Sequence, residues 1–318
     1  MRTRLAPSPT GALHLGNART FLLTWLWARA RAAEVVMRVE DLDGPRIRAG
    51  AAADALADLR WLGLDWDGEV LFQSARAAAH EEALRRLAAA GAVYPCVCSR
   101  KEAAAAASAP NEGDGGPRYP GTCRGRFASA AAAEAEGGRV PAWRFAVDPA
   151  RETSFVDEVR GAERAHPGQV EGDFVVAKRS GEAAYQLAVV VDDAFQGVTH
   201  VIRGDDLVPS THLQLLLYEA LDLPVPAFAH LPLVRGPDGR RLAKRHGDTR
   251  IAHYRERGVA PERVLGLLAS WSGLAPRAPI SAAELLAGGC ARAWDWARLP
   301  RADVAFRPAD DAWLRAGT

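Results

Sequence analysis

Strand-like and helix-like segments alternate over residues 1–92, and this alternation restricts the fold more than any other feature of the sequence. Residues 2–6 and the β-branched run at 34–41 are typical of strands. Between them, the segment from Asn17 to Trp27 is apolar on nearly all sides, which predicts a buried helix. Two further helices are predicted at 53–63 and 80–91. This succession favours an α/β fold with a parallel sheet.

The alternating pattern stops at residue 93 and resumes at residue 173, which predicts an inserted domain. The inserted segment holds three cysteines, an alanine-rich stretch and a loop rich in Gly, Asn and Asp. After it, 187–193 and 198–206 are predicted strands and 212–223 a predicted helix. Apolar residues then take helical spacing. We predict a sheet domain in two halves (1–92 and 173–248), an inserted subdomain (93–172) and a small helical domain (249–318).

The composition is that of a globular protein without a membrane segment. Of 318 residues, 48% are apolar and 25% charged. No apolar run reaches the roughly 18 residues of a membrane-spanning helix, and the first residues do not resemble a secretion signal. We predict a cytoplasmic monomer with no membrane partner. The formal net charge is only +1, so any contact with nucleic acid depends on a local basic patch.

A loop rich in glycine and proline separates the first strand from the first helix. Ser8-Pro9-Thr10-Gly11 and Gly16 leave room for a phosphate to approach backbone amides at a helix start. His14 would donate a hydrogen bond to charge that builds on a phosphoryl group. A tight turn that merely starts a helix explains the same residues. At this point the sequence leaves both interpretations open.

Two charged residues stand at strand ends, as this loop does. Glu40 follows the apolar part of 34–41, and Arg203 follows Val201-Ile202. In open α/β sheets, ligands bind beyond the carboxyl ends of the strands. We therefore expect Glu40, Arg203 and the His14 loop to lie close together.

A turn and a basic run form a second candidate nucleotide loop. The turn is 236–239 (GPDG), and the basic residues after it are Arg240, Arg241, Lys244 and Arg245. Taken alone, such a run is most often a solvated face.

Together, the two loops resemble the nucleotide-binding motifs of class I aminoacyl-tRNA synthetases. The stretch 14–17 (HLGN) stands where the family has His-Ile-Gly-His, and 241–245 (RLAKR) stands where it has Lys-Met-Ser-Lys-Ser. The segments 4–11, 38–43 and 197–206 are similar to the glutamyl-tRNA synthetase branch. The resemblance implies a Rossmann-type catalytic domain, ATP and Mg²⁺, and L-glutamate as substrate.

The resemblance also implies roles for individual residues. His14 and Lys244 are the implied catalytic residues, which stabilise phosphate charge. Arg203 or Arg4 would pair with a carboxylate of glutamate, and Glu40 would hold the α-ammonium group. Arg38 has a simpler explanation as an ion-pair partner, and the aspartates at 192–193 as caps of the next element. The implied ATP-binding residues are Thr10, His14, Gly16, Asn17, Arg241 and Lys244. The implied glutamate-binding residues are Arg4, Leu5, Ala6, Pro7, Ser8, Glu40, Tyr185 and Arg203.

The chain departs from the family pattern at four positions. Asn17 replaces the final histidine of the first motif, and Arg241 and Ala243 replace a lysine and a serine of the second. Val189 stands where glutamyl-tRNA synthetases typically have an asparagine in the amino-acid pocket. Because valine donates no hydrogen bond, we expect a pocket with a different affinity or a different dependence on tRNA.

The short region after the second loop points to one branch of the family. Residues 249–318 leave room for one small helical domain and not for an anticodon-binding domain. The chain resembles the glutamyl-Q branch, which activates glutamate without tRNA and transfers it to queuosine in the anticodon stem-loop of tRNA(Asp). The alternatives are a minimal glutamyl-tRNA synthetase that charges the tRNA 3′ end, a catalytically decayed RNA-binding module, and a small-molecule nucleotidyltransferase.

Three clustered cysteines indicate a metal site. Cys96, Cys98 and Cys123 suit tetrahedral zinc, and a fourth ligand is needed. The histidine that zinc-bearing glutamyl-tRNA synthetases place two residues after the last cysteine is Gly125 here. The resemblance to the glutamyl-Q branch implies Tyr119 instead, and one structural Zn²⁺. The alternative is three buried free thiols. Cys290 is interpreted as a small core residue.

Overall fold

The computed structural model describes residues 1–42, 44, 47–99, 101–103, 118–240, 242, 248–288 and 294–316. Its first part is the predicted parallel sheet, in which β1, β2 and β3 pair side by side in chain order. The elements are β1 (Arg2–Leu5), α1 (Leu15–Arg29), β2 (Glu34–Val39), α2 (Ala51–Trp61), β3 (Val70–Phe72), a 3₁₀ turn (Gln73–Arg76) and α3 (Ala77–Ala89). Helix α1 is buried on most sides, as its sequence predicted.

A second sheet continues the first. Its strands are β6 (Thr153–Asp157), β7 (Gly161–Ala165), β9 (His200–Gly204) and β10 (Ala227–Leu231), in the order β7-β6-β10-β9. Strand β10 is parallel to both β9 and β6, whereas β6 and β7 form an antiparallel hairpin. The amide of Thr199 donates to the carbonyl of Arg2 at 2.9 Å, which places β9 beside β1. The carboxyl ends of β1, β2 and β9 therefore meet along one edge.

β4 (Val93–Cys96) and β5 (Ala142–Phe145), both in the predicted insert, form an antiparallel sheet with β8 (Phe174–Ala177), which begins just after the predicted boundary at residue 172. Helices α4 (Ala130–Gly137) and α5 (Pro167–Val170) belong to the same part of the chain. The hairpin β6–β7 comes from this region too, but it pairs with β10 of the second sheet.

The prediction of a strand at 187–193 is wrong, because these residues belong to helix α6 (Tyr185–Phe195). Leu187, Ala188 and Val190 pack into a core that they share with α7 (Val208–Ala220). A short apolar run does not by itself distinguish a buried strand from a buried helix, and tertiary packing overrides the β preference of valine. The predicted strand at β9 and the predicted helix at α7 are both confirmed.

The C-terminal part is largely helical, as predicted, with one short strand in addition. Its elements are α8 (Ile251–Glu256), α9 (Pro261–Trp271), α10 (Ala282–Ala287), a 3₁₀ turn (Trp296–Arg298), β12 (Val304–Ala305) and α11 (Pro308–Arg315). Strand β12 pairs in parallel with β11 (Val234–Arg235), next to the second loop. Among the described residues, no helix combines the length and apolar character that crossing a membrane requires.

A buried ion cluster joins the first two strands to α6. Asp193 accepts a hydrogen bond from Arg38 at 2.5 Å and lies 3.5 Å from Nε of Arg4. All three side chains are almost fully buried. Arg38 also donates to Glu40 at 3.0 Å, so its interpretation as an ion-pair partner is confirmed. Asp192 bonds Gln73 and His80, so within the described residues both aspartates of α6 pair with side chains and neither caps the next element.

We expect Asp193→Asn to lower the free energy of unfolding by about 3–5 kcal/mol, because it leaves two buried guanidinium groups without their shared carboxylate. The matched control is Asp65→Asn. Asp65 pairs with Arg29 at the surface, where about 1 kcal/mol or less is expected. Urea unfolding of both variants measures the difference, and equal losses would contradict a special role for the buried cluster.

The same cluster sets the acid sensitivity of the fold. Burial alone would raise the pKa of Asp193, but the charges of Arg38 and Arg4 outweigh burial and hold this pKa below its usual value. A carboxyl group with a lowered folded-state pKa stabilises the fold above its unfolded pKa of about 3.9, and this stabilisation is lost as the pH falls through the folded value. Asp193→Asn should therefore lose stability less steeply than the wild type below about pH 4.

Candidate active site and metal site

A cavity of about 590 Å³ lies at the edge where the carboxyl ends of β1, β2 and β9 meet. It brings together Glu40, Arg203 and the His14 loop, as the strand-end argument predicted. The predicted site residues that line it are Arg4, Ala6, Ser8, His14, Gly16, Asn17, Glu40, Tyr185 and Arg203.

Three predicted site residues are placed differently. The Leu5 side chain is fully buried in the core, so it does not reach the cavity. Pro7 contributes its backbone, because its carbonyl accepts from the amide of Glu40 at 3.0 Å and fixes the start of the loop. Thr10 is not among the residues that line the cavity.

The second loop is described only in part. Arg241, Lys244 and the departure at Ala243 lie outside the described residues, as does Cys290. Leu242, between the two basic residues, lines the cavity. The described part of this loop is therefore adjacent to the His14 loop.

His14 has a structural role in addition to its place in the cavity. It is the N-cap of α1, and its Nδ1 accepts from the amides of Gly16 at 3.1 Å and Asn17 at 3.4 Å. In a neutral imidazole that accepts at Nδ1, the proton is on Nε2. The ring can therefore cap the helix through one nitrogen and present an N–H donor through the other. The two interpretations of this loop are compatible.

Segments that flank the second loop hold the His14 loop in place. The amide of Leu15 donates to the carbonyl of Thr249 at 3.0 Å, and the amide of Ile251 donates to the carbonyl of Leu13 at 2.8 Å. These bonds tie the start of α1 to the start of α8. The two loops are thus connected through backbone hydrogen bonds as well as through the cavity.

Among the described cations that line the cavity, Arg203 has the least compensated charge. Nε donates to Nε2 of His230 at 3.1 Å, and Nη2 donates to Thr211 at 2.7 Å and Gln214 at 2.9 Å. Within the described residues, Nη1 is buried without a hydrogen-bond partner and Arg203 forms no ion pair. A carboxylate ligand would satisfy both the donor and the charge.

Arg4 is less suited to that role because its charge is already balanced. Its Nη1 donates to the carbonyl of Ile202 at 3.1 Å, and its Nε lies near Asp193. The sequence left the choice between Arg4 and Arg203 open, and the geometry favours Arg203. Glu40 supplies the complementary negative charge, since its partly exposed carboxylate lines the cavity.

Tyr185 starts helix α6 and places its ring in the cavity. Burial raises the pKa of its phenol, although the charge of Arg203 opposes this shift. The phenol is therefore a neutral hydroxyl at pH 7. Val189, one helical turn later, is buried and does not line the cavity.

Four polar residues that line the cavity were not predicted as site residues from the sequence: Thr20, Gln73, Lys178 and Asp206. Lys178 lies in the turn after β8, donates to the carbonyl of Leu42 and lines the cavity. Gln73 lines it from the 3₁₀ turn and donates to Asp192 at 3.0 Å. The only sequence signal for Lys178 is that lysine is rare in this chain, and neither Lys178 nor Gln73 belongs to a recognisable motif.

The clustered cysteines form a second site. The sulfur atoms of Cys96, Cys98 and Cys123 all lie within 4.8 Å of one another. The hydroxyl of Tyr119 lies 3.3 Å from the Cys96 sulfur and 3.4 Å from the Cys98 sulfur, and Cys98 and Cys123 are 3.5 Å apart. Metal–sulfur bonds of about 2.3 Å in a tetrahedron place donors roughly 3.5–3.8 Å apart, and these three separations are close to that range.

The surroundings of this cluster suit anionic ligands. The guanidinium group of Arg144 lies 3.7 Å from the centre of the Tyr119 ring and donates to the Cys96 sulfur at 3.3 Å. Burial raises the pKa of the Tyr119 phenol and that of the Cys98 thiol, the latter to about 11. A bound cation reverses this preference, because it favours the deprotonated ligand.

Comparison with known proteins identifies the class. Residues 1–279 match the family described as the catalytic domain of class I tRNA synthetases (E and Q), and the chain belongs to that family. A protein of Symbiobacterium thermophilum named glutamyl-Q tRNA(Asp) synthetase is 49% identical over 99% of this chain and 98% of its own length. The resemblance to the glutamyl-Q branch is confirmed.

Longer members of the family match over part of their length. A glutamate–tRNA ligase of Oleidesulfovibrio alaskensis is 43% identical over 85% of this chain and 57% of its own length. The crystal structure of a glutamate–tRNA synthetase from Elizabethkingia anophelis superposes with a TM-score of 0.80 and 27% identity, covering 99% of this chain and 69% of that one. The fold is therefore shared with enzymes that continue beyond the region matched here.

We expect Gly16→Ala to impair the site through His14. A Cβ atom at position 16 would lie 3.0 Å from Cε1 and 3.1 Å from Nδ1 of the imidazole, so the ring must move. Amino-acid-dependent ATP–pyrophosphate exchange should fall by about tenfold or more. The free energy of unfolding is the control. It should not fall, because alanine in a helix is favoured over glycine by about 0.5–1 kcal/mol. Unchanged exchange would contradict this placement of His14.

Proposed function

We propose that this protein activates L-glutamate with ATP and transfers the glutamyl group to queuosine in the anticodon loop of tRNA(Asp). The observation that carries the first half is Arg203, a buried guanidinium with an unpartnered nitrogen in a cavity that also holds Glu40 and the His14 loop. The acceptor rests on the glutamyl-Q relative, which this chain matches along almost its entire length.

Glutamate fits the charges of the cavity. Its α-carboxylate is the group to be activated, so it must remain able to react. Arg203 therefore takes the side-chain carboxylate through Nη1, and Glu40 takes the α-ammonium group. Tyr185 adds a hydroxyl to the same cavity. Glutamine would leave the Arg203 charge without a counter-charge, which gives selection for the acid over the amide.

Activation is a displacement at phosphorus. An oxygen of the α-carboxylate attacks the α-phosphorus of ATP, the bond to the bridging oxygen breaks, and pyrophosphate leaves. The Nε2–H of His14 donates to the developing phosphate charge, and Lys244 supplies a positive charge from the second loop. Mg²⁺, which the class implies, neutralises phosphate charge when bound. Because no side chain forms a covalent bond, catalysis depends on position and electrostatics.

The glutamyl group is then transferred by a reaction at the carbonyl carbon of the activated α-carboxylate. A hydroxyl group of the queuosine ring attacks this carbon, the ester bond forms, and AMP leaves with the electron pair of the broken bond. The hydroxyl proton passes to the departing phosphate or to solvent. The sequence identity to a glutamate–tRNA ligase supports one alternative acceptor. In that alternative, the attacking hydroxyl belongs to the 3′ end of a tRNA.

Mapping the labelled product distinguishes these two acceptors. The protein is incubated with labelled glutamate, ATP, Mg²⁺ and queuosine-containing tRNA(Asp), and the tRNA is then cut with a ribonuclease. We expect the label in the anticodon fragment and no label on the same tRNA with guanosine in place of queuosine. Label at the 3′ end would make this protein a minimal glutamyl-tRNA synthetase and refute the proposed acceptor.

We propose that the cysteine cluster holds one structural Zn²⁺ through Cys96, Cys98, Tyr119 and Cys123. Three thiolates are typical zinc ligands, and the spacing of the four donors supports tetrahedral coordination. With four protein ligands the ion has no open position for substrate. Arg179 donates to the carbonyls of Val97 and Cys98, at 2.7 Å and 2.9 Å, and so ties the cluster to the turn that carries Lys178.

Metal analysis tests this site. We expect about one zinc ion per chain in the wild type and loss of the zinc in Cys123→Ser, with a lower Tm, because structural zinc contributes to folding. Cys290→Ser is the matched control and should retain the metal. Retention of zinc in Cys123→Ser, or a wild-type protein purified with zinc in the buffer yet free of it, would contradict the proposal.

A further inference from the structure

Arg203 stands at the end of a chain of buried hydrogen bonds that the proposed reaction does not use. The chain starts at Asp157, the last residue of β6, and passes through His230 on β10. Nδ1 of His230 lies 2.6 Å from Asp157, and Nε2 lies 3.1 Å from Nε of Arg203. Both Asp157 and His230 have fully buried side chains. Three adjacent strands thus contribute one residue each to a line that ends at the cavity.

The hydrogen bonds determine which nitrogen of His230 carries the proton. Asp157 is an acceptor, so Nδ1 of His230 is the donor, and the backbone amide of His230 also donates to Asp157 at 3.1 Å. Nε2 is then an acceptor and can receive the N–H of Arg203. Burial lowers the pKa of His230 to about 4, although the hydrogen bond to Asp157 opposes this shift. The ring is therefore neutral at pH 7.

The other bonds of Arg203 also go to neutral acceptors. Thr211 and Gln214 accept from Nη2, and Gln214 is held in turn by a 3.0 Å bond to Gln186, the residue after Tyr185. Two of the three guanidinium nitrogens are thus fixed, which sets the plane of the group and the direction of Nη1. A carboxylate partner would fix the plane equally well, but it would also cancel the charge.

We propose that His230, with its proton held on Nδ1 by Asp157, is a positioning residue that orients Arg203 through a neutral acceptor. The full positive charge of Arg203 is thereby kept for the carboxylate of the substrate. The negative charge of the hydrogen-bond chain is on Asp157, which is separated from Arg203 and the ligand by His230. This inference rests on the proposed binding of glutamate at Arg203, and it assigns the selectivity of that site to two residues outside the segments that carried the resemblance.

Two substitutions of His230 separate positioning from general stability. His230→Asn keeps an amide donor for Asp157 and removes the acceptor for Arg203, whereas His230→Gln can place a carbonyl near Nε of Arg203. We expect His230→Asn to raise the KM for glutamate by about tenfold or more, with kcat and the KM for ATP changed less than about threefold. His230→Gln should restore a substantial part of the loss.

A second buried histidine provides the matched control. His212 is also buried, bonds Thr153 at 2.8 Å and packs against the same ring of Phe155, but among the described residues no hydrogen bond joins it to Arg203. His212→Asn should keep the wild-type KM for glutamate. Equal increases of this KM in the His212 and His230 variants, or no increase in His230→Asn, would overturn the proposal.

The tautomer of His230 can be measured without any enzymatic assay. In the ¹⁵N spectrum of histidine-labelled wild-type protein at pH 7, we expect His230 to be neutral with its proton on Nδ1. A proton on Nε2, or a charged ring, would overturn the positioning role even if the variants do not fold. If the wild type has the expected tautomer but shows no glutamate-dependent exchange, the proposed function fails while the hydrogen-bond chain stands.

Discussion

The ion cluster around Asp193 is the interaction on which the cavity depends. Asp193 joins Arg4 of β1 and Arg38 of β2 to helix α6, so two strands and one helix share a buried centre of charge. Burying two guanidinium groups without a carboxylate would carry a large desolvation cost. The cluster removes that cost and at the same time fixes the helix whose first residue, Tyr185, faces the cavity. The geometry of the ligand site is thus a consequence of charge compensation in the core.

Arg4 and Arg203, the two arginines that line the cavity, have different roles although they are the same residue type. Arg4 faces a carboxylate and contributes mainly to the cohesion of β1, β9 and α6. Arg203 is surrounded by an imidazole, a hydroxyl and an amide, which orient the group without neutralising it. The difference lies in the partners, not in the residue type. For this reason, the sequence alone could not rank the two arginines as carboxylate binders.

Much of the fold and of the site could be predicted from local sequence patterns and from the rule that ligands bind beyond the carboxyl ends of parallel strands. The His14 loop has a local signature, and the positions of Glu40 and Arg203 follow from the edge of a parallel sheet. The strand predicted at 187–193 failed because five apolar residues in a row carry no clear period, and packing against α7 decided their conformation. His230 and Asp157 could not be paired from sequence, because 73 positions separate them and neither strand shows which distant residue its polar side chain faces.

The double role of His14 has an evolutionary consequence. The ring that faces the cavity also caps α1, so replacing His14 by a residue that cannot cap would weaken the helix whether or not the protein still catalyses a reaction. Arg203 is different, because a buried guanidinium with an unpartnered N–H costs folding free energy. A lineage that no longer bound a carboxylate ligand could replace Arg203 without loss of stability. Among relatives of this chain, retention of Arg203 is therefore a better sign of a catalytically active enzyme than retention of the histidine motif.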